Sequence, residues 1–424
     1  MAGLWHRLVA PLAMSAGFVP AARDIDDPRL WGGLNNVSVA GQVVTSETGL
    51  QHWAVQACLE ALAGPISSLP LMVFERLDGD RRRPAREHPL FELLQDGVGR
   101  QTAQEFRDDK MRILAWWRNY YALIVPAEDG GPVGHLEPIH PSRMLKVERG
   151  TDGWVYYFVR RLPPAVGQDV YREDMIHHVR KAPLTPDGLR GQPMWETARE
   201  TLGRAQAVEA FGALFFANGS HGGGILKHPG AFRDKDEERA FLDTWRNSGS
   251  GANRFRDRLL KNGVDYQAPE VTNEDSQFLE SKKQAGYEVA ALWNMPPHRV
   301  GMLERATNNN VEQQSLEYVM YALGPWISAD EQALRRDLLV GDELDRYFIE
   351  YNVAGLLRGD LKTRWAAYAQ GRQWGWLSIN DVRRLENMDP IGPEGDVHST
   401  PLNMVPAGYD PNKPDPQEQT DNAA

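Results

Sequence analysis

The sequence predicts an α+β fold, and two observations lead to it. In residues 45–180, stretches with apolar residues at helical spacing alternate with short runs of aromatic and β-branched residues, which are typical of strands. Beyond residue 190, long amphipathic patterns predict helices, interrupted by one segment, 219–272, that mixes strand and helix patterns. We therefore expect a mixed domain first, then long helices around a small insert, and further helices towards the C-terminus.

The first part begins with a predicted helix at 45–69, followed by a strand at 69–74 and a short helix that opens at His88-Pro89. A longer helix at 101–117 starts with Thr102 and Glu105, which have the spacing of a capping box. Further strands are predicted at 119–125, 154–159 and 175–179.

The second part is predicted to be mainly helical. A helix at 194–218 carries one apolar stripe: Trp195, Ala198, Leu202, Ala205, Val208, Phe211 and Phe215. The insert holds a strand at 225–226, a helix at 234–245 and a hairpin around Asn262-Gly263. Further helices are predicted at 273–294, 311–338, 358–371 and 378–388. Pro325 should kink or split the helix at 311–338, because proline lacks the amide hydrogen of a helical residue.

Composition narrows the class of protein. The 424 residues suffice for two or three domains. The net charge of −11 argues against tight, static binding of nucleic acid, since such proteins neutralise phosphates with Lys and Arg, although DNA could still slide past an acidic wall. The one cysteine, Cys58, cannot form an intrachain disulfide and lies in an apolar stretch, so we expect it to be buried.

The N-terminal residues 1–44 are interpreted as a flexible arm. A weak apolar run at 8–19 is interrupted by Pro11, Ser15 and Gly17, which favours an arm over a secretory signal peptide. No later stretch approaches the roughly 18 uninterrupted apolar residues of a membrane span, and no membrane partner is expected.

The sequence offers no constellation typical of an enzyme. The glycine-rich stretch 219–224 lacks the Lys-Ser/Thr of a phosphate-binding loop and precedes a predicted strand. His177 and His178 are adjacent in a strand and would point to opposite faces, so they cannot share a metal ion. They are interpreted, like His135 and His140, as structural or surface residues. We predict no catalytic residue, no metal site and no cofactor, and favour a structural or binding role.

Two other candidate features have plain explanations. The acidic pair Glu237-Glu238 lies in a charge run and is interpreted as a solvated helix face. Trp195, Trp293 and Trp326 lie on apolar stripes, where packing explains them better than a carbohydrate cleft.

One local charge feature differs from the rest of the chain. Residues 227–261 contain nine basic and six acidic residues, a balance of +3. This pattern fits a solvated surface, or a contact for nucleic acid or for an acidic protein partner. The candidate contact residues are Lys227, Arg246, Arg254, Arg256, Arg258 and Lys261.

The order of these segments over 45–405 resembles the portal proteins of HK97-like phages. The stretches that carry the resemblance are 54–59 (AVQACL), 66–71 (ISSLPL), 88–90 (HPL), 101–106 (QTAQEF), 119–124 (NYYALI), 136–144 (LEPIHPSRM), 187–193 (DGLRGQP), 215–219 (FFANG), 294–301 (NMPPHRVG), 310–314 (NVEQQ) and 375–383 (GWLSINDVR). Each stretch is weak alone, and their shared order is the strong signal. Arg118 departs from the pattern, because the family often has Gly before Asn119.

The resemblance implies a homo-oligomeric ring, typically a dodecamer, at one capsid vertex of a virion that assembles in the host cytoplasm. Such a ring is the conduit for double-stranded DNA during packaging and ejection, and its implied partners are the large terminase subunit, the head–tail adaptor and the major capsid protein.

The resemblance also implies a portal fold with a division into parts. The wing would be 45–192 and 311–357, the paired stem helices 193–218 and 273–297, the small α/β clip 219–272, and the helical crown 358–407, with a disordered tail at 408–424. A tunnel loop at 298–310 would face DNA with Glu304, Arg305, Thr307, Asn308, Asn309 and Asn310.

Two alternatives remain open at this point. The chain could be another phage structural protein or adaptor that shares only the α+β organisation, or, less favoured, a carbohydrate-active hydrolase with two acids across a cleft. The sequence leaves open whether the particle is a phage, a prophage or a gene transfer agent.

Overall fold

The computed structural model describes residues 36–77, 81–97, 101–127, 131, 133–217, 225–230, 232–248, 263–267, 274–302, 311–353, 356, 361–386 and 388–398. They belong to two compact units, 1–353 and 354–424. Most of the predicted arm and all of the predicted tail at 408–424 lie outside these ranges. Across the ranges that are described, no helix is both long and apolar enough to span a membrane.

The first unit opens with α1 (Ser46–Leu50) and α2 (Trp53–Ser67), then β1 (Leu71–Arg76), β2 (Arg82–Pro84), α3 (Pro89–Asp96) and α4 (Ala103–Trp117). The capping box of α4 is confirmed, since Thr102 accepts from the Glu105 amide and Glu105 accepts from the Thr102 amide. The sheet strands that follow are β3 (Asn119–Val125), β4 (His135–Ile139), β5 (Met144–Arg149), β6 (Val155–Arg160), β7 (Gln168–Arg172) and β8 (Ile176–Arg180).

These strands form antiparallel sheets of three. Their orders are β4-β3-β8, β5-β6-β7 and β11-β1-β2, where β11 (Tyr347–Tyr351) returns from the far end of the unit. The register of the last sheet pairs Leu71 with Tyr351 and Phe74 with Phe348. The predicted mixed class is therefore confirmed, with the start and the end of this unit joined in one sheet.

The second half of the unit consists of α5 (Met194–Thr197), α6 (Arg199–Ala217), β9 (Ile225–Lys227), α7 (Lys235–Ser248), β10 (Asp265–Gln267), α8 (Glu274–Ala291), α9 (Val311–Glu317), α10 (Gly324–Leu338) and α11 (Glu343–Arg346). A π-helical segment, Tyr318–Leu323, joins α9 to α10. The expectation of one unbroken helix at 194–218 is wrong, because the backbone leaves helical geometry at Ala198 (φ −110°, ψ 21°).

The predicted distortion near Pro325 takes the form of this π-helical segment. Proline cannot donate to the carbonyl four residues earlier, which is that of Tyr321. The Asn294 side-chain amide donates to this carbonyl instead, at 3.2 Å. Pro325 lies in the first turn of α10, where a proline is tolerated, and the Asn294 bond supplies the Tyr321 carbonyl with a donor at this junction.

Two features of the core bear on the sequence predictions. Cys58 is buried as expected, and burial raises the pKa of its thiol to about 12. Arg118, at the position where the family that the sequence resembles often has glycine, ends α4 in the left-handed region with φ 55°. Its guanidinium donates to the Ala182 carbonyl, so a side-chain bond offsets the strain that glycine would have avoided.

A network of buried polar groups lies between α4, β8, α10 and β11. The Lys110 ammonium is 2.5 Å from Asp330 Oδ1, and both side chains are almost fully buried. The Tyr351 hydroxyl donates to Asp330 Oδ2 at 2.7 Å. Lys110 also lies 3.2 Å from His177 Nε2, while His177 Nδ1 is 2.8 Å from Asp337 Oδ2. Groups up to 160 positions apart in the chain therefore contact one another in this network.

The second unit contains α12 (Leu361–Gln373) and α13 (Ile379–Leu385). Ser378 caps α13 as predicted and forms a capping box with Asp381. A 3₁₀ turn at Pro393–Asp396 packs against α13, where Gly395 meets Asn380 and Asp396 pairs with Arg384.

The Lys110–Asp330 pair supplies a stability prediction. Asp330→Ala should lower the free energy of unfolding by about 3–5 kcal/mol, because it leaves a buried ammonium without a counter-charge. Chemical denaturation of the purified chain measures this. Asp174→Ala is the matched control: it breaks an exposed pair with Arg172 and should cost at most about 1 kcal/mol. Equal losses in the two variants would contradict the prediction.

Candidate functional site

An antiparallel pair of helices, α6 and α8, carries the insert at its far end. Arg204 near the start of α6 bonds Glu288 near the end of α8, with 2.9 Å between Nη2 and Oε2. Phe211 and Phe278 meet further along, with ring centroids 6.0 Å apart. The two helices therefore run in opposite directions, so that the chain reaches the insert along α6 and returns from it along α8.

The base of this pair is anchored in the core. Leu202, Ala205 and Val289 are buried, and the Gln206 side chain donates to the Thr48 carbonyl at 2.8 Å. His52 lies 3.8 Å from Glu209, but burial lowers the pKa of His52 to about 4, so this contact is not an ion pair at neutral pH.

The far part of the pair is different, because its apolar residues are exposed. Phe211, Leu214 and Leu279 are 50%, 64% and 56% exposed. Of the predicted stripe on α6, Leu202 and Ala205 are thus buried and Phe211 is exposed, while nothing is described of the Phe215 side chain. Exposed apolar residues in this number are typical of a surface that another molecule covers.

Close packing holds the two helices together at Gly212. A Cβ atom at this position would lie 2.2 Å from the Phe278 ring, so only glycine allows this approach. No local sequence pattern indicated this contact, because the partner residue lies more than 60 positions away.

The insert contains a two-stranded antiparallel sheet and a helix. β9 pairs with β10 in the register Lys227 to Asp265, and α7 lies between them in sequence. Asp234 accepts hydrogen bonds from the amides of Asp236 and Glu237, so it caps α7. The acidic side chains of the first turn interact favourably with the positive end of the helix dipole.

The predicted contact residues of the insert are described only in part. Lys227 is exposed on β9, opposite Asp265. Arg246 lies on α7, and nothing is described of its side chain; Arg254, Arg256, Arg258 and Lys261 lie outside the described residues. Residues 227–245 hold four basic and five acidic residues, a net −1, while 246–261 hold five basic and one acidic, a net +4. The positive surplus therefore belongs to the end of α7 and the segment after it.

The predicted tunnel-loop residues Glu304, Arg305, Thr307, Asn308, Asn309 and Asn310 also lie outside the described residues. The flanks of this loop are described and contact each other. The Arg299 guanidinium lies over the Tyr318 ring at 4.5 Å and donates to the Ser315 hydroxyl at 3.3 Å. Both ends of the loop are thus held together, a role for Arg299 that the sequence analysis missed.

The histidines are structural. His177 and His178 are buried, and burial is the main cause that lowers the pKa of each. As a neutral ring, His178 accepts from the Tyr157 hydroxyl at 3.1 Å and donates to Asn119 Oδ1 at 3.2 Å. His140 is exposed and caps a 3₁₀ turn. Among the residues with described positions, no group of three or more His, Cys, Asp or Glu side chains could hold a metal ion.

Comparison with known proteins gives one consistent result. Residues 53–387 match the family model described as phage portal protein. The chain is 31% identical over 367 residues to the portal protein of Enterobacteria phage HK97, covering 86% of this chain and 84% of that protein.

Solved structures share the fold. An HK97 family phage portal protein from Corynebacterium diphtheriae has a TM-score of 0.56 at 16% identity, covering 75% of this chain and 99% of that one. A chain from the neck of a native gene transfer agent particle, computed with C12 symmetry, has a TM-score of 0.52 at 19% identity, covering 90% and 99%.

The helix pair supplies a test of its packing. Gly212→Ala should destabilise the protein by about 1–3 kcal/mol, because the added methyl group overlaps the Phe278 ring. Gly64→Ala, inside α2, is the matched control. Apart from its chain neighbours, its methyl group would meet only the flexible Glu60 side chain at 3.5 Å. Because Gly64 precedes Pro65, whose ring crowds the added methyl group, the gain in helix propensity is largely offset, and the change in stability should stay within about 0.5 kcal/mol.

Thermal unfolding followed by circular dichroism measures both changes. Replacing Phe278 by Ala in the Gly212→Ala background should recover part of the loss. An effect of Gly212→Ala as small as that of the control would show that the helices do not approach this closely.

Proposed function

This chain belongs to the phage portal protein family, and we propose that it forms a closed homo-oligomeric ring at one capsid vertex, through which DNA is packaged and later ejected. The observation that carries this proposal is the family match over 53–387, which spans the anchored body, the helix pair and the insert in one continuous stretch.

The architecture supports a ring. A ring of identical subunits needs two different complementary surfaces on each copy, because every subunit contacts its neighbours head to tail. The exposed Phe211, Leu214 and Leu279 of the helix pair are suited to such contacts. The C12 symmetry of the gene transfer agent neck fits twelve subunits in the ring of this chain.

The insert 219–272 is proposed as the clip that docks the large terminase subunit and, later, the head–tail adaptor. Its support is the net +4 of residues 246–261 in a chain of net −11. Arginines dominate this stretch, and a guanidinium suits the carboxylates of an acidic protein surface. The energy for DNA movement would come from the terminase.

The loop 298–310 is proposed to face DNA in the channel. Three asparagines and a threonine, Thr307 to Asn310, offer hydrogen bonds without a strong charge, while Glu304 and Arg305 nearly cancel. The contacts of Arg299 with Tyr318 and Ser315 close the base of this loop and would set its direction.

The alternatives are not favoured. The family match speaks for a portal rather than for an unrelated adaptor. The carbohydrate hydrolase loses its support because Trp195, Trp293 and Trp326 are 7%, 2% and 5% exposed and pack inside the core.

Electron microscopy of the purified chain tests the ring directly. We expect closed rings of twelve subunits with a central hole wide enough for duplex DNA. Monomers or unperforated particles alone, under several protein concentrations and ionic strengths, would contradict the proposal.

Charge reversal tests the clip. Arg254→Glu, Arg256→Glu and Arg258→Glu, made singly, should each leave ring assembly intact and weaken terminase binding by about 1.4 kcal/mol or more, a ten-fold change. Arg86→Glu, at an exposed position between β2 and α3, is the control and should leave binding unchanged. Pull-down and titration with purified terminase measure the effect, and equal binding by all four variants would remove the insert as the docking surface.

A further inference from the structure

The unit 354–424 has no apolar interior in its described part. Of the residues described there, only Gly371, Ser378, Asn380 and Gly395 are buried. The unit 1–353, in contrast, buries large apolar side chains throughout α2, α4 and its sheets. A unit of this size gains most of its stability from apolar burial, so the described part of this one lacks the usual source of stability.

Polar contacts hold its elements together instead. Glu386 accepts from the Arg364 guanidinium at 3.0 Å and from the Tyr368 hydroxyl at 2.9 Å. The Asn380 side chain donates to the Gly392 carbonyl at 2.8 Å and accepts from the Ile391 amide at 3.0 Å. Such bonds replace bonds to water, so their net contribution to stability is small.

The same unit exposes large apolar side chains in unusual number. Their exposed fractions are 48% for Trp365, 51% for Trp374, 67% for Trp376, 36% for Ile379, 46% for Leu385, 45% for Met388, 44% for Ile391 and 63% for Val397. They concentrate around the turn between α12 and α13 and after the end of α13. A buried aromatic side chain removes about 150–250 Å² from water. The exposed part of this set is therefore of the same order as the roughly 800 Å² that each partner contributes to a stable interface.

The charge of the stretch that carries these side chains indicates what covers them. Residues 361–398 contain five basic and five acidic residues, a net charge of zero in a chain of −11. Copies of this stretch can approach one another without the repulsion that the rest of the chain would cause. A neutral, tryptophan-rich surface does not suit DNA, whose binding requires a surplus of Lys and Arg.

We propose that the 354–424 units of neighbouring subunits build one shared apolar core, so that this unit is completed only when the ring closes. The inference rests on the proposed ring, which holds the copies side by side at a high effective concentration. Side chains that are exposed in one chain, Trp376 above all, become interior residues of the assembly.

Hydrogen exchange of the full-length chain tests this. Monomer and ring fractions are separated by size, and amide exchange is compared peptide by peptide. We expect peptides from 361–386 to exchange at least about ten-fold more slowly in the ring, because opening would then require loss of the shared core. Peptides of α4, which lies in the core of the unit 1–353, should exchange equally in both forms. Equal exchange of 361–386 in monomer and ring would overturn the inference.

A single substitution gives an independent measurement. Trp376→Ser should raise the protein concentration needed for half-maximal ring formation about ten-fold, and should leave the unfolding midpoint of the monomer unchanged. Trp154→Ser is the matched control, since Trp154 is 41% exposed in the other unit and lies under the Arg172 guanidinium. Unchanged assembly of Trp376→Ser would overturn the shared core.

The two levels of failure are distinguishable. A wild-type chain that forms no ring would overturn the proposed function and this inference together. Rings that assemble normally while 361–386 stays unprotected would overturn the inference alone.

Discussion

The buried pairing of Lys110 with Asp330 is the constraint on which the rest of the unit 1–353 depends. It joins α4 to α10, while Tyr351 and His177 connect the same charges to β11 and β8. Leaving any of these groups unpaired in the interior would cost several kcal/mol, by a rough estimate. The early and late segments of the unit must therefore dock on each other, and α6 and α8, which lie between them in sequence, must leave and re-enter one body.

The docking of the early and late segments explains which part of α6 stays exposed. The apolar residues of α6 are buried near its start, at Leu202 and Ala205, and exposed further on, at Phe211 and Leu214. When the apolar stripe of a helix continues beyond the core of its own chain, the exposed part of the stripe is typical of a surface that another molecule covers. The interior of one chain thus fixes the base of the helix pair, and in the proposed ring a neighbouring subunit would cover the remainder.

Local patterns predicted the elements well, because periodicity and capping are encoded within a few residues. The capping boxes at Thr102 and Ser378 are examples. What local patterns could not supply were contacts between distant segments: the approach of Phe278 to Gly212, the replacement donor Asn294 for the Tyr321 carbonyl, and the ion-pair network around His177. The break at Ala198 was missed for a related reason, since its neighbours continue the apolar stripe across it. The candidate loop and clip residues stay predictions, because most of them lie outside the described residues.

The net charge of the chain opposes the association of its copies. Identical copies of a chain with net charge −11 repel one another, and only part of this repulsion is screened at physiological ionic strength. Apolar burial must therefore drive ring closure, and its surfaces should avoid the acidic regions. The neutral stretch 361–398 and the exposed apolar end of the helix pair meet that requirement. In the proposed ring, the surplus acid would then lie outside these subunit contacts, where it would not oppose ring closure.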